Sequence, residues 1–314
     1  VIGKTVTTEF ATFHPGPTVN PRSRGSDFTP GGSSSGSAAA VAAGMVPLAF
    51  GTQTAGSIIR PAAYCGVVGY KPTFGTLPAA GIKPLAPSLD TLGVLARKVD
   101  DAAWFVGLLA RQPFADAVPG AGPLRIAVCG TPHWDRAQPA SRTALAQAAA
   151  AFERAGAQVS DITLPAACEG LDAAQIAVME YEAAAAFMPE AASHARDFSP
   201  AFAALLARGA GRDGHELYYA LARAEAAHKV LEPVWQAVDV LLCPSTEGEA
   251  PAGLDATGDP IFNRMWSLLG NPCVHVPVGS GPRGMPVGVT VVGPQRADRL
   301  ALAAGRLLEQ SLAG

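Results

Sequence analysis

Charged side chains are few in this sequence: Asp, Glu, Lys and Arg make up 16% of its 314 residues, against 49% hydrophobic residues. A chain so poor in charge and so rich in apolar groups lies far from the composition of intrinsic disorder and can fill a sizeable core. Basic and acidic residues nearly cancel, 23 against 26, giving a formal net charge of -3. Without a broad basic footprint, nucleic acid is not an expected partner. Cysteine is sparse too, at Cys65, Cys129, Cys168, Cys243 and Cys273, never in Cys-x-x-Cys spacing. That pattern excludes a disulfide scaffold and fits a reducing compartment. Long apolar runs are missing: residues 38–50 are alanine-rich and too short to cross a bilayer, and no positively charged leader precedes an apolar run. The expectation is a soluble, cytoplasmic protein with no membrane contact. Zinc-ligand clusters, nucleotide-binding glycine fingerprints, heptads and fixed-period repeats are likewise lacking, so neither a metal nor an organic cofactor is expected.

Glycine and proline are plentiful, 34 and 27 residues. Residues 12–36 are dominated by Pro, Gly, Ser, Thr and Asn, which favour turns over regular structure. Residues 1–5 read as the end of a strand. A helix of small residues is expected at 37–44, a short strand at 47–50 and a turn-rich segment at 51–57. A strand at 64–70, a further element beginning at 89–95 that leads into a helix at 99–109, a strand at 124–129, a helix at 141–155 stopped by Gly156, and a strand at 157–162 come next. Residues 173–210 are strongly helical in propensity, interrupted by Pro189 and Pro200. A helix at 218–238 would be kinked or broken near Pro233 and place Leu217, Leu221, Ala224, His228 and Leu231 on roughly one face. A strand at 238–243, a helix at 261–269, strands at 274–278 and 287–292, and a helix at 296–310 complete the chain. The alternation favours one α/β body, with 173–227 as a helical cap beside the sheet.

Two segments hold serines among turn-forming residues: Gly31-Gly32-Ser33-Ser34-Ser35-Gly36-Ser37 and Thr54-Ala55-Gly56-Ser57. Such composition also makes flexible linkers, yet the first segment runs straight into a small-residue helix and a second serine turn comes after it. A carbonyl attacked by a serine hydroxyl develops negative charge on oxygen, and converging backbone N–H groups stabilise it. The serine still needs a base. The second segment does not have the Gly-x-Ser-x-Gly pattern of the elbow in Ser-His-Asp hydrolases, and the histidines carry no local triad signal.

These segments, together with Tyr64-Cys65-Gly66-Val67-Val68-Gly69-Tyr70-Lys71-Pro72-Thr73, resemble the amidase signature family in order and spacing. The resemblance extends through Gly3-Lys4-Thr5, Asn20-Pro21, residues 239–244, Gly270-Asn271-Pro272 and residues 288–293, essentially the whole chain. It implies an α/β fold with a mixed central β-sheet surrounded by α-helices, as one domain over residues 1–314. In that family a Ser-Ser-Lys triad cleaves amides. Carried over by motif, Ser57 is the nucleophile, Ser33 the bridging serine, and the backbone N–H groups of Thr54, Ala55, Gly56 and Ser57 the oxyanion hole. The family's lysine falls upstream of Val1, which implies an N-terminal segment outside this sequence. Lys4 and Lys71 match the Gly-Lys-Thr and Lys-Pro-Thr elements instead, so neither is assigned as base. Ala55 stands where glycine is most common and Gln53 where many members carry Asp; neither change removes a reacting atom. Ser34, Ser35 and Ser37 read as turn, cap or backbone-supporting hydroxyls, and Cys65 as buried packing.

Arg60 lies three residues beyond the proposed nucleophile. This displaced position resembles members acting on small carboxylated amides, including malonamate and biuret-related acids, and a guanidinium can hold a carboxylate by a charged two-pronged contact. A loop-stabilising ion pair or a surface position competes with that role. His14, Tyr64 and Trp266 have pocket-lining and packing readings alike, and Glu9, Asp90 and Asp239 have capping or ion-pair readings. The leading expectation is an amidohydrolase releasing ammonia from a small carboxylated amide, its only expected partner. A broader aryl or aliphatic amidase, the ammonia-supplying subunit of transamidation on glutamyl-tRNA, and a noncatalytic interaction protein are the alternatives. Monomer and homodimer are both open.

Overall fold

A computed structural model describes residues 1–25, 27–118 and 122–313. Its helices are α1 (Ser35–Ala42), α2 (Ile59–Cys65), α3 (Val99–Ala110), α4 (Pro139–Arg154), α5 (Leu171–Ala186), α6 (Met188–His194), α7 (Pro200–Ala210), α8 (Gly214–Ala237), α9 (Ile261–Leu268) and α10 (Asp298–Ala313). Its strands are β1 (Leu48–Gln53), β2 (Val68–Lys71), β3 (Thr91–Ala96), β4 (Arg125–Cys129), β5 (Gln158–Ile162), β6 (Val240–Pro244), β7 (Cys273–Ser280) and β8 (Pro286–Val292). They form one mixed sheet in the order β1-β3-β2-β7-β8-β6-β4-β5. Strand β4 runs parallel to β5 and β6, and the remaining neighbours are antiparallel. This is the mixed α/β sheet surrounded by helices that the resemblance implied.

Alternation along the strands sorts the core into two layers, because successive side chains point to opposite faces. Ile126, Val240, Leu242, Val274 and Val289 pack with α3, α4 and α10 through Val99, Ala148 and Leu302. Ala127, Cys129, Leu241, Cys243 and Cys273 face the other way, toward α5, α7, α8 and α9 through Val178, Phe202, Leu231 and Trp266. Helix α2 lies on this second face, close to the backbone. A methyl group added at Gly51, Gly69 or Gly93 would come within 3.4 Å of Ile58, the residue that leads into α2. Gly51 and Gly93 are register partners on β1 and β3. Glycine on three neighbouring strands thus lets the loop before α2 settle onto the sheet.

Several sequence expectations change. The segment read as a strand at 64–70 is the end of α2 leading into β2, with Gly66 in the left-handed region at φ 65° between them. Pro61 fits the first turn of α2 because the N–H it lacks has no intrahelical acceptor there. Residues 1–5 join no strand; Thr5 Oγ1 contacts Ser37 Oγ at 2.8 Å and Val6 O accepts from Gly36 N, so this stretch tracks the start of α1. Helix α8 runs unbroken through Pro233, near its C-terminal end, and buries Ala220, Ala224, Ala227, Leu231 and Val234, a face rotated from the expected one. Pro189 and Pro200 do mark helix starts, at α6 and α7. Residues 173–227 fall on α5 to α8, and α5 and α7 cross so closely that a methyl on Gly209 would strike the Glu180 backbone. Among the described residues no helix is long and apolar enough to cross a membrane.

Candidate active site

Strand β1 ends at Gln53, whose side chain is fully buried and organises the loop beyond the strand. Its Oε1 accepts from the N–H groups of Ile58 (2.9 Å) and Ile59 (3.1 Å), and its Nε2 donates to Ser267 Oγ at 3.0 Å. An aspartate at this position could accept but not donate; glutamine does both and ties the start of α2 to α9. Ser267 Oγ passes the connection on by donating to Ala55 O at 2.7 Å. Gln175 Nε2, from α5, donates to Thr54 O at 3.0 Å. The Thr54 hydroxyl donates to Asp90 Oδ1 at 2.5 Å, while Asp90 Oδ2 accepts from Leu85 N and Ala86 N. Burial raises the Asp90 pKa against the pull of these donors.

The loop between β1 and α2 is therefore held by its carbonyls and side chains. Its backbone N–H groups at Thr54, Ala55, Gly56 and Ser57 meet no acceptor among the described residues. A planar peptide directs its N–H opposite the preceding carbonyl, so fixing Thr54 O and Ala55 O sets the directions of the Ala55 and Gly56 N–H groups. Gly56 is required by space: an added methyl would lie 2.7 Å from Pro260 Cβ and 3.2 Å from Asn263 Cβ. Thr54, Ala55, Ser57 and Arg60 line a small cavity of about 10 Å³ with Thr12, Phe13, Leu85, Met179 and Pro260, at the limit of what one water needs.

The two serine segments meet here. Ser34 N donates to Ser57 O at 3.3 Å, and Arg60 Nη2 donates to Gly32 O at 2.8 Å, so contacts on both neighbours of Ser33 tie it to the loop that carries Ser57. Ser33 is fully buried, with a hydroxyl that has no hydrogen-bond partner among the described residues. Buried hydroxyls seldom go unpaired, because desolvation is then uncompensated. The other serines are occupied as expected: Ser34 Oγ accepts from Thr52 N, Ser35 Oγ donates to Val6 O, and Ser37 Oγ contacts Thr5 Oγ1.

Arg60 is not exposed, and among the described residues it joins no ion pair. It is 2% exposed, and Nη2 also donates to Thr257 Oγ1 at 3.2 Å. Nε and Nη1 are buried without a partner. Burial is the main cause that lowers its pKa to about 10, with Arg264 adding to the fall and Tyr64 and Asp259 opposing it, so it stays charged at neutral pH. Because Nη2 is committed, the two forks of the guanidinium that share it are closed, and the edge between Nε and Nη1 is filled by Cδ. An anion would meet Arg60 at one nitrogen, not through the two-pronged contact expected from sequence.

Other expectations resolve plainly. Lys71 is fully buried on β2, donates to Pro72 O at 3.0 Å and to no other group among the described residues, and has its pKa lowered by burial. Cys65 is fully buried, with its thiol pushed up by desolvation, as a packing residue would be. Tyr64 and Trp266 are buried at 2% and 1% exposure and line no part of the small cavity. Glu9 accepts from Ser199 N at the start of α7, and Asp239 pairs with Arg125 at 2.7 Å. No group of three His, Cys, Asp or Glu able to hold a metal occurs among the described residues. Sequence reasoning missed Gln175, Arg264, Ser267 and Thr257. Each reaches the site from far along the chain, up to 214 residues for Ser267 and Gln53, so no local spacing could reveal it.

Comparison with known proteins places this arrangement. The model of the Amidase family matches residues 1–302. A glutamyl-tRNA(Gln) amidotransferase subunit of Rhodopirellula baltica is 33% identical, over 99% of this chain and 74% of that protein. The 2-amino-5-chloromuconic acid deaminase of Comamonas testosteroni is 32% identical, over 95% of this chain and 69% of that protein. A solved amidase superposes with a TM-score of 0.87 at 31% identity, covering 98% of this chain and 74% of the other. A match across nearly the whole chain, in both sequence and fold, makes this protein a member of the amidase signature family of C–N hydrolases.

Proposed function

We propose that the protein hydrolyses a small carboxylated amide, of the malonamate or biuret-related type, through an acyl-enzyme on Ser57. The carrying observation is Arg60: a buried cation with two unpartnered nitrogens, lining the same cavity as Ser57 and the free N–H groups of the loop. A buried charge of this kind is costly until an anion meets it. A substrate carboxylate would supply that anion and fix a very small molecule against Ser57.

In this reading Ser57 Oγ attacks the amide carbon, its proton passes to Ser33 Oγ, and Ser33 passes its own to a lysine amine carried upstream of Val1. The carbonyl oxygen becomes an oxyanion facing the N–H groups of Ala55, Gly56 and their neighbours. Collapse breaks the C–N bond as the proton returns through Ser33 to the departing nitrogen, releasing ammonia. Water then cleaves the ester and restores Ser57. The Ser33 hydroxyl, fully buried and without a partner among the described residues, leaves its bonding capacity for the lysine amine that this reading requires.

The test is Arg60→Ala in the intact protein, assayed on malonamate and on a neutral amide of equal size. Truncating one partner of a buried charge contact lowers kcat/KM by about 10²-fold or more, so the loss for the acid is expected to exceed by about that factor the loss that the missing contact to Gly32 O causes for the neutral amide. Equal losses on both would overturn the assignment of Arg60. A second reading, the ammonia-supplying subunit of a transamidation assembly, is favoured by the amidotransferase relative. It predicts stable co-purification with a tRNA-binding partner.

A further inference from the structure

Gln175 lies on α5, fully buried, more than a hundred residues from the loop it touches. Its side-chain amide is used at both ends. Nε2 donates to Thr54 O at 3.0 Å, and Oε1 accepts from Arg264 Nη1 at 2.8 Å. Arg264, on α9, is itself 8% exposed. The result is a continuous chain: guanidinium to amide oxygen, amide nitrogen to Thr54 carbonyl, and across the peptide to the Ala55 N–H, which meets no protein acceptor among the described residues.

We infer that Gln175 and Arg264 are positioning residues for the proposed reaction, a clamp that orients and polarises the Thr54–Ala55 peptide so that the Ala55 N–H faces the developing oxyanion. The inference rests on the function proposed above. A hydrogen bond to a carbonyl fixes the peptide plane and with it the direction of the following N–H. Hydrogen bonds in series also polarise one another, and a cation at the far end strengthens the effect in a buried, low-dielectric setting. Ser267 makes the parallel contact one peptide further on, to Ala55 O, but with a neutral hydroxyl whose partner is Gln53. Only the Thr54 side of the loop is linked to a formal charge by this chain. Ground-state binding would feel the clamp weakly, because a neutral carbonyl gains less from a well-aimed donor than an oxyanion does.

Gln175→Glu separates positioning from packing. Glutamate keeps the length of the side chain and can still pair with Arg264, but when ionised it has no proton to give Thr54 O. Gln175→Leu removes both contacts, Arg264→Met removes the charge, and Arg264→Lys restores a cation. Removing an oxyanion donor costs on the order of 10²–10³ in kcat and misaiming one costs less, so Gln175→Glu and Gln175→Leu are each expected to lower kcat about tenfold with KM held within about twofold. Arg264→Lys should recover part of what Arg264→Met loses. Wild-type kcat in Gln175→Glu, or a loss confined to KM, would overturn the inference.

A second readout needs no turnover. The sequence contains two Thr–Ala pairs, Thr54–Ala55 and Thr143–Ala144. Labelling threonine carbonyls with ¹³C and alanine amides with ¹⁵N therefore gives two correlations from residues 1–314, and the one lost in Thr54→Ser is that of Thr54–Ala55. The Thr54 carbonyl and Ala55 amide shifts should move in Gln175→Glu and Gln175→Leu, while Thr143–Ala144 on α4 stays in place. An unmoved Thr54–Ala55 signal overturns the clamp even if activity changes. If the wild-type protein hydrolyses no amide, the proposed function fails, and the shifts alone decide whether Gln175 controls this peptide.

Discussion

At the scale of single residues, the site depends on groups that fit one geometry and few others. Gly56 is the clearest case. Gly56→Ala would press a methyl against Pro260 and Asn263, and Asn263 is itself fixed by its 2.9 Å bond to Ser245 O. A clash that displaces the Gly56 backbone from these neighbours turns the adjoining peptides, so the N–H groups would lose their aim. We expect kcat to fall by about 10²-fold and stability by about 1–3 kcal/mol, read by amide hydrolysis and by denaturant unfolding; unchanged kcat would separate Gly56 from the reaction. Residues of this kind could be singled out in the sequence because they belong to the motif that carries the family resemblance: serine, glycine and arginine stand within seven positions of Thr54. The side chains that hold that segment, Gln175, Ser267 and Arg264, were not legible, because their meaning comes from tertiary contacts and none belongs to a motif.

At the scale of elements, the position of Ser57 is set by how closely α2 approaches the sheet. A methyl at Gly93 would collide with the Tyr70 carbonyl of the adjacent strand and crowd Ile58. Backbone cannot yield as a flexible side chain can. Gly93→Ala should therefore destabilise the protein by about 1–3 kcal/mol or more through overpacking, whereas Gly75→Ala, which meets nothing within 4 Å but has a φ of 79°, should cost only the smaller strain of a left-handed alanine. Equal costs in thermal or denaturant unfolding would contradict this account of the α2 seat. The strands and long helices were readable from apolar periodicity, as α3, α4 and β4 illustrate. Helix α2 was not, since Pro61-Ala62-Ala63-Tyr64-Cys65 is buried on every side and its apolar run carries no helical period. Pro233 misled in the opposite direction: packing of Leu231 and Val234 holds α8 together across a residue that weakens an isolated helix.

At the scale of the whole molecule, the sheet couples one buried histidine to overall stability. His275 on β7 is fully buried, accepts or donates at Nδ1 with Ser245 Oγ at 2.7 Å, and has no partner at Nε2 among the described residues. Desolvation lowers its pKa to about 3. In the unfolded chain the same group takes a proton near pH 6.5. Between those values the unfolded state binds more protons, so stability falls as the pH drops from about 6.5 toward 3, by up to about 1.4 kcal/mol per pH unit. Urea unfolding across that window should show a shallower dependence for His275→Gln than for the wild type, and identical slopes would exclude His275 as a source. The central claim concerns chemistry at Ser57, and the most direct measurement is rapid acid quench of the intact protein turning over malonamate, with peptide mass mapping of the quenched enzyme. A carboxyacyl adduct is predicted on the peptide containing Ser57 and should be absent in Ser57→Ala; turnover with no adduct there, or with the acyl group on another residue, would contradict the proposed reaction.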